Sequence, residues 1–320
     1  MELFPRITKG NPVLVLSRLQ LCDLNLDHVG EEQKRQIQQL YLTYNSFSLF
    51  PTSICLLSNL EHLDLSNNYL TAMPEDITRL ANLKTLVAKN NHFDETSFPK
   101  HFGTMHIESL NLSGNRFREI PRQFLKLSRL LSLSLGGNRL KSIPAEIENL
   151  NRLEMLYLGG NMISSIPPEL ANLRCLRYLV LCDNCVQSIP PQLSRLHSLL
   201  SLSLHNNLLT FLPREILSLV HLQELSLRGN PLVVRFIKDM TYDPPSLLEL
   251  AGRTIKSRNL PYLPSDLPAN LCHYLDMASK CPNPKCAECS SPCSSNPQSD
   301  TESEEESSVP ADRLQRVLLG

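Results

Sequence analysis

The sequence lacks the features that mark membrane-spanning and nucleic-acid-binding chains. Hydrophobic residues make up 42% of the 320 residues, yet no apolar run approaches the roughly 18 residues that a membrane-spanning helix requires. The formal net charge is −1, and there is no basic stripe, so no electrostatic field favours nucleic acid or an anionic membrane surface. We therefore expect no nucleic acid and no membrane among the binding partners.

A secretion signal and a disulfide framework are also missing. The apolar segment 13–21 is interrupted by Arg18 and lacks a small-residue cleavage site, so we interpret it as part of the mature protein. Six of the ten cysteines are scattered, and the other four lie together between residues 281 and 293. Secreted proteins built from repeats usually carry paired disulfides at the two ends of the repeat array. No such pairs are evident here, so this distribution predicts reduced thiols in a cytoplasmic or nuclear protein.

Catalytic motifs are absent too. The sequence shows no serine–histidine–aspartate or cysteine–histidine arrangement and no glycine-rich loop between a strand and a helix. Four histidines have no metal-ligand spacing along the chain, and we predict surface or groove positions for most of them: His62, His197, His205 and His221. We expect a protein that is not an enzyme and needs no cofactor.

What the sequence contains is a repeat of 23 residues. It is marked by nine asparagines, with a single interval of 24: Asn45, Asn68, Asn91, Asn115, Asn138, Asn161, Asn184, Asn207 and Asn230. Each asparagine ends the phrase leucine-x-x-leucine-x-leucine-x-x-asparagine. Phrase and period are typical of leucine-rich repeats. The predicted fold is an α/β repeat, a horseshoe-shaped solenoid with a parallel concave sheet.

The chemistry of one repeat explains the spacing. Leu156 and Leu158 alternate as in a short strand, so both side chains point to the same face. Asn161 then turns the chain, and its amide can satisfy buried backbone groups. A proline such as Pro144 follows most of these asparagines by six residues and predicts the start of a short helical turn. One repeat cannot bury its own leucines, whereas stacked repeats share a core.

Four regions follow from this pattern. Residues 1–36 are predicted to cap the solenoid, residues 37–235 to form the repeats, residues 236–279 to form a helical C-terminal segment, and residues 280–320 to form a cysteine- and serine-rich, acidic, disordered tail. The interval between Asn91 and Asn115 contains one additional residue, and its proline moves to Pro99. We expect a distorted convex loop over residues 94–101, either a docking feature or a tolerated insertion.

The concave face is the predicted binding surface. Five glycines lie in one strip of the repeats, and we interpret them as strand positions that allow close approach of another backbone: Gly114, Gly136, Gly137, Gly159 and Gly160. The alternative is that small residues ease the curvature of the sheet. Beside the strip lie residue types that are enriched at interface centres. We predict that they bind a target protein: Met155, Tyr157, Tyr178, Val180, Asp183, His205 and Arg228.

Residues 246–255 predict a helix that follows two prolines. Ser246 is a suitable N-cap, and an apolar stripe runs through Leu247, Leu250, Ala251 and Ile255. A second helix is predicted over residues 269–277. The plain interpretation is a cap for the C-terminal end of the solenoid.

The same segment resembles the elongin-binding BC box followed by a cullin box, as found in substrate receptors of cullin ubiquitin ligases. The resemblance implies that elongin C contacts Leu247, Leu250, Ala251 and Ile255, with Ala251 where those receptors usually have cysteine. Residues 263–271 are similar to a cullin box, and the implied cullin contacts are Leu263, Pro264, Leu267 and Leu271. The aliphatic–proline start is similar to the cullin-2 type, with cullin-5 as the alternative. The implied partners are thus elongin B/C and one of these cullins.

Three phrases of the chain are similar to the family of leucine-rich repeat-containing protein 58. They are residues 142–150, residues 202–209 and residues 228–235, and the similarity covers roughly residues 83–295 and 316–320. The family has a longer cysteine-containing segment where this chain joins Cys286 to Cys289 closely.

Four thiols near the C-terminus are enough in number to hold one zinc ion: Cys281, Cys286, Cys289 and Cys293. The surrounding residues are mostly proline and serine, which favours unstructured thiols instead.

Two functions remain open. The leading hypothesis is a substrate-recognition subunit of an elongin–cullin ubiquitin ligase, with the target on the concave face. The alternative is an intracellular signalling scaffold that assembles phosphatases or small GTPases and has no ligase role.

Overall fold

The structure, a computed structural model, contains two compact units: residues 1–235 with 311–320, and residues 236–310. It describes residues 12–232 of the first unit. In the second unit it describes seven residues: Ile255, Pro261, Leu267, Pro268, Leu271, Cys272 and Leu275.

Residues 12–232 form a parallel sheet of ten short strands, which confirms the predicted leucine-rich-repeat solenoid. The strands are β1 (Val13–Val15), β2 (Gln39–Tyr41), β3 (His62–Asp64), β4 (Thr85–Val87), β5 (Ser109–Asn111), β6 (Ser132–Ser134), β7 (Met155–Tyr157), β8 (Tyr178–Val180), β9 (Ser201–Ser203) and β10 (Glu224–Ser226). They pair in sequence order, so equivalent residues of successive repeats lie side by side, as Leu133 and Leu156 do. Each repeat therefore contributes one strand to the concave face.

The convex side consists of short helices. Within residues 12–232, one α-helix, α1 (Glu31–Gln36), precedes the repeats, and eight 3₁₀ helices follow: Thr52–Leu56, Glu75–Arg79, Lys100–Thr104, Phe124–Lys126, Ala145–Asn149, Pro168–Asn172, Pro191–Arg195 and Arg214–Ser218. In most repeats the predicted proline is the residue before the helix. The Pro144 carbonyl, for example, accepts a hydrogen bond from the backbone N–H of Ile147 at 3.1 Å. The apolar residue three positions after the proline is thereby turned into the core.

Each repeat asparagine ties its own turn to the preceding repeat. The Asn161 Nδ2 donates to the carbonyls of Leu158 (2.9 Å) and Leu135 (3.0 Å), and its Oδ1 accepts from the backbone N–H of Leu140 at 3.0 Å. The Asn161 side chain is buried, and it is one of eight buried asparagines in the series of nine. The predicted role of the asparagine amide is confirmed, and much of the bonding runs between repeats.

The residue before each of these asparagines adopts a left-handed backbone conformation. All nine have φ between +53° and +71°: Tyr44, Asn67, Asn90, Gly114, Gly137, Gly160, Asp183, Asn206 and Gly229. Glycine, asparagine and aspartate tolerate this conformation best. The interpretation of the five glycines as strand residues was wrong, because they lie in the turns that follow β5, β6 and β7. Three of them are explained by the turn itself.

The irregular repeat contains an additional turn on the convex side, as the sequence predicted. The Asp94 carboxylate accepts hydrogen bonds from the Thr96 backbone N–H (2.9 Å), the Thr96 hydroxyl (2.7 Å) and the Ser97 hydroxyl (3.0 Å). These bonds, led by that of the Thr96 side chain, lower the pKa of Asp94. The additional residue is thus accommodated in a hydrogen-bonded turn.

Phe98, which follows this turn, is buried among four other phenylalanine rings. Its ring centroid lies 4.8 Å from that of Phe124 and 4.9 Å from that of Phe102, both edge to face. Phe93 and Phe117 lie at 5.4 and 6.1 Å. The irregular repeat therefore adds aromatic packing to the core beneath an off-period loop.

The two ends of the described sheet differ in burial. At the N-terminal end, Leu14 and Leu26 are buried among the residues that precede the first repeat asparagine. In the last described repeat, Leu222, Leu225 and Leu227 are only half-buried and pack against the edge of the core.

Candidate protein-binding surface on the concave sheet

Four of the predicted target-binding residues form one exposed patch. Met155 and Tyr157 are the outer residues of β7, and they pair in register with Tyr178 and Val180 of β8. Met155, Tyr157 and Tyr178 are about 40% exposed, and Val180 is half-buried. We refer to these four residues as the aromatic patch. The middle residue of each strand is a buried leucine, so the outer two must point away from the core.

Serines border the aromatic patch on both sides. Ser132 and Ser134 of β6 pair with Met155 and Tyr157, and Ser201 and Ser203 of β9 pair with Tyr178 and Val180. The large side chains therefore stand above a floor of small residues. Such an arrangement leaves the apolar side chains accessible to a partner.

Gly136 positions the ring of Tyr157. A Cβ atom at Gly136 would lie 2.1 Å from Cε1 and 2.6 Å from Cδ1 of Tyr157, so the tyrosine ring covers this glycine. The space beside these glycines is thus partly occupied by side chains of the protein itself. This packing fixes the ring instead of leaving an open floor for a partner backbone.

Asp183 and His205 lie in the turns that follow β8 and β9, next to this patch, together with Cys182. The Asp183 Oδ2 is 3.8 Å from the His205 Nε2, and both groups lie on the surface. The Asp183 Oδ1 accepts a hydrogen bond from the Asn206 Nδ2 at 2.7 Å. This bond, followed by those from Cys182 and the charge of His205, lowers the pKa of Asp183. Arg228, in the next repeat, is exposed.

Sequence reasoning missed the proximity of Cys182 to His205. The two occupy the same position in successive repeats, 23 residues apart, and parallel register brings them to adjacent turns. Local motif spacing does not reveal such a pair, but the repeat period does. Burial, aided by the neighbouring Asp183 carboxylate, raises the pKa of the Cys182 thiol to about 11. A thiol in this state is protonated and is a poor nucleophile.

Most of the predicted elongin and cullin contacts lie outside the described residues. These are Leu247, Leu250, Ala251, Leu263 and Pro264, and the four clustered cysteines Cys281, Cys286, Cys289 and Cys293 are also outside.

Three of the implied contacts are described. Ile255 is helical and half-buried, and Leu267 is half-buried. Leu271 is buried. The backbone N–H groups of Leu271 and Cys272 donate to the Pro268 carbonyl at 2.9 and 3.1 Å, which places a helical turn after Pro268.

Among the described helices, none has the length and apolar composition to cross a membrane.

Comparison with known proteins identifies relatives of the whole chain. The family model "Leucine rich repeat" matches residues 35–93, 105–163 and 170–232. Leucine-rich repeat-containing protein 58 of Xenopus laevis is 59% identical over 347 positions, covering 99% of both chains. The Xenopus tropicalis protein of that name is 58% identical over 88% of this chain and 80% of its own. The first alignment exceeds 320 residues, so that relative has residues that this chain lacks.

Solved structures of plant receptors share the fold. One is the leucine-rich-repeat ectodomain of the receptor kinase GASSHO1/SCHENGEN3 from Arabidopsis thaliana, at 32% identity over 68% of this chain, with a TM-score of 0.54. Another is the Arabidopsis receptor kinase HAESA, at 28% identity over 66% of this chain, with a TM-score of 0.55. The chain spans only 26% and 39% of those two chains. Sheet, repeat phrase and full-length relatives agree: the chain belongs to the leucine-rich-repeat proteins and, among them, to the family of leucine-rich repeat-containing protein 58.

Proposed function

We propose that the chain is the substrate-recognition subunit of an elongin–cullin ubiquitin ligase in the cytoplasm or nucleus. The observation that carries the proposal is the order of two features: an exposed aromatic patch on a repeat sheet, followed by a segment similar to a BC box and a cullin box. The first feature would bind the target, and the second would bind elongin C and cullin-2 or cullin-5.

The chemistry of the aromatic patch supports binding of a protein. Tyrosine and methionine are enriched at the centres of protein interfaces, where large rigid side chains lose little conformational freedom. The patch is exposed on two adjacent strands that the sheet holds rigidly. Two related folds also bind protein or peptide ligands: the GASSHO1/SCHENGEN3 ectodomain was solved with CASPARIAN STRIP INTEGRITY FACTOR 2, and HAESA with the peptide hormone IDA and its co-receptor.

The contribution of such a subunit to the reaction is proximity. A bound target is held beside the charged ubiquitin-conjugating enzyme, which raises the effective concentration of its lysines. The chain itself needs no nucleophile for this task, in agreement with the protonated state of the buried Cys182 thiol. The ubiquitin chemistry belongs to the partner subunits.

The test is a pulldown of the tagged full chain from cells, probed for elongin C, cullin-2 and cullin-5. Leu247→Asp should abolish recovery of elongin C and of the cullin that the parent chain recovers, because a charge would replace the leucine that the resemblance places against elongin C. Leu217→Asp is the matched control: Leu217 is 71% exposed on a convex helix of the repeats. Recovery of elongin C with Leu217→Asp and its loss with Leu247→Asp would support the ligase function.

A double variant separates target binding from ligase assembly. The double variant Tyr157→Ala with Tyr178→Ala removes both rings of the aromatic patch. The target should therefore escape degradation in cells, while elongin C should still be recovered with the variant. If neither the parent chain nor Leu217→Asp recovers elongin C, the ligase function is refuted, and a scaffold that binds through the aromatic patch alone takes its place.

A further inference from the structure

Three side chains with different donor groups lie close together in the turns that follow β8 and β9. The Sγ of Cys182, a carboxylate oxygen of Asp183 and a ring nitrogen of His205 all lie within 4.8 Å of one another. Two adjacent repeats supply them, so the parallel register of the sheet sets their separation. Thiolate, carboxylate and imidazole are the side chains that bind zinc and related divalent transition metals.

The carboxylate and the imidazole are each oriented by a hydrogen bond from outside the cluster. The Asn206 amide holds Oδ1 of Asp183 at 2.7 Å, which leaves Oδ2 directed at Nε2 of His205. On the other side of the ring, Nδ1 of His205 lies 2.9 Å from the Ser203 hydroxyl and 3.4 Å from the Ser226 hydroxyl. Such partners fix the orientation of the imidazole and leave the opposite nitrogen available, as the outer groups of metal sites do.

Glycine determines the position of the sulfur atom. Cys182 is 7% exposed, and a Cβ atom at Gly159 would lie 2.8 Å from its Sγ. The sulfur therefore fills the space that Gly159 leaves open. In this position the sulfur lies within 4.8 Å of the carboxylate and imidazole donors.

We propose that Cys182, Asp183 and His205 form a binding site for a divalent transition metal of the zinc class, through Sγ, Oδ2 and Nε2. Zinc bonds of about 2.0–2.3 Å in a tetrahedron place sulfur and nitrogen ligands about 3.6 Å apart. For oxygen and nitrogen ligands the corresponding separation is about 3.4 Å. The Oδ2–Nε2 distance of 3.8 Å is slightly longer than this, and all three donor atoms lie within 4.8 Å of one another.

Binding of the ion changes the protonation of the site. The metal–sulfur bond replaces the S–H bond, and the proton passes to solvent. Thiolate and carboxylate then balance the charge of the divalent ion. The three side chains leave a fourth coordination position for water or for a donor group of another molecule. The proposal stands apart from the ligase function, since it concerns the repeats alone.

The test measures Zn²⁺ binding to the purified full chain by competition with a chromogenic chelator. The four clustered cysteines are first replaced, Cys281→Ser with Cys286→Ser, Cys289→Ser and Cys293→Ser, so that they cannot contribute. This background should bind one equivalent of Zn²⁺. Adding Cys182→Ser or His205→Ala should abolish that equivalent, and Asn206→Ala should weaken it by about tenfold or more.

Co²⁺ provides a direct signature of the sulfur ligand. The Co²⁺-loaded background should show a thiolate-to-metal absorption band that Cys182→Ser removes. Two controls lie close by and outside the cluster: Cys185→Ser, at an exposed thiol of the same repeat, and His221→Ala, at an exposed histidine of the next. Both should retain Zn²⁺, and circular dichroism should show all variants folded. Failure of the background to bind Zn²⁺, or binding that survives Cys182→Ser, would overturn the site.

Discussion

The side-chain amide of Asn161 donates a hydrogen bond to the carbonyl oxygen of Leu135, although 26 residues separate them along the chain. Asn161→Ala should destabilise the solenoid by about 2–4 kcal/mol, because buried backbone groups of two repeats lose their partner. Urea unfolding followed by circular dichroism measures the change. Asn151→Ala, at an exposed asparagine of the same repeat, is the control and should alter the unfolding free energy by less than about 0.5 kcal/mol. Equal effects of the two variants would contradict the buried role of Asn161.

The phenylalanine cluster of the irregular repeat should be a main contributor to stability. Phe98→Ala removes a ring that contacts four others and should cost about 3–5 kcal/mol. Phe211→Ala is the matched control, since Phe211 is 55% exposed, and its cost should be a fraction of that value. Thermal unfolding of both variants provides the comparison. A small effect of Phe98→Ala would show that the additional loop is a surface attachment without a share in the core.

The left-handed turn positions predict a graded series of glycine substitutions. Gly160→Ala and Gly137→Ala should each cost about 1–2 kcal/mol from backbone conformation, because the added Cβ atoms meet neighbours only at 3.4 Å or more. Gly114→Ala should cost more, since its Cβ would lie 2.1 Å from Oδ1 of Asn90. Equilibrium unfolding of the three variants gives the order. A harmless Gly114→Ala would show that the Asn90 side chain moves aside freely.

His62 should make the stability depend on pH. Burial lowers its pKa, with the charge of Asp64 opposing the shift, and its Nε2 is buried without a hydrogen-bond partner in the described part of the chain. The unfolded chain therefore binds this proton at higher pH than the folded chain, so the unfolding free energy falls as the pH drops below about 6.5.

His62→Gln isolates this contribution from that of the other titrating groups. The loss of unfolding free energy between about pH 8 and about pH 5 should be smaller in His62→Gln than in the parent. Urea titrations of the two proteins across that range measure it. Identical pH dependence in both would mean that His62 is solvated in the folded state.

The sequence was sufficient to predict the solenoid because its signal is repeated. The leucine phrase and the asparagine recur nine times, so the errors of any single position cancel. What it did not predict is local backbone conformation. Asp183 has the same left-handed backbone conformation as Gly160, the equivalent residue one repeat earlier. Only the equivalence of the two positions reveals the shared sign of φ.

Prediction of the site was uneven for a physical reason. Met155, Tyr157, Tyr178 and Val180 were identifiable because strand alternation dictates which side chains point outward. The proximity of Cys182 and His205 was missed because ligand spacing was sought locally along the chain, whereas a solenoid brings together residues one period apart. The glycines were misinterpreted because turn and strand glycines are indistinguishable without backbone angles.

The hydrogen bonds of the repeat asparagines have a consequence for how chains of this family change in length. The Asn161 bonds reach back 26 and 21 residues, and the same separations recur at Asn138 and Asn184. A duplicated block of 23 residues would keep these separations, so its asparagine would form the same hydrogen bonds with the preceding repeat. An insertion of one or two residues would not, unless it is absorbed on the convex side, as it is around Asp94 and Phe98. Length should therefore evolve in whole repeats, with single-residue changes confined to the outer turns.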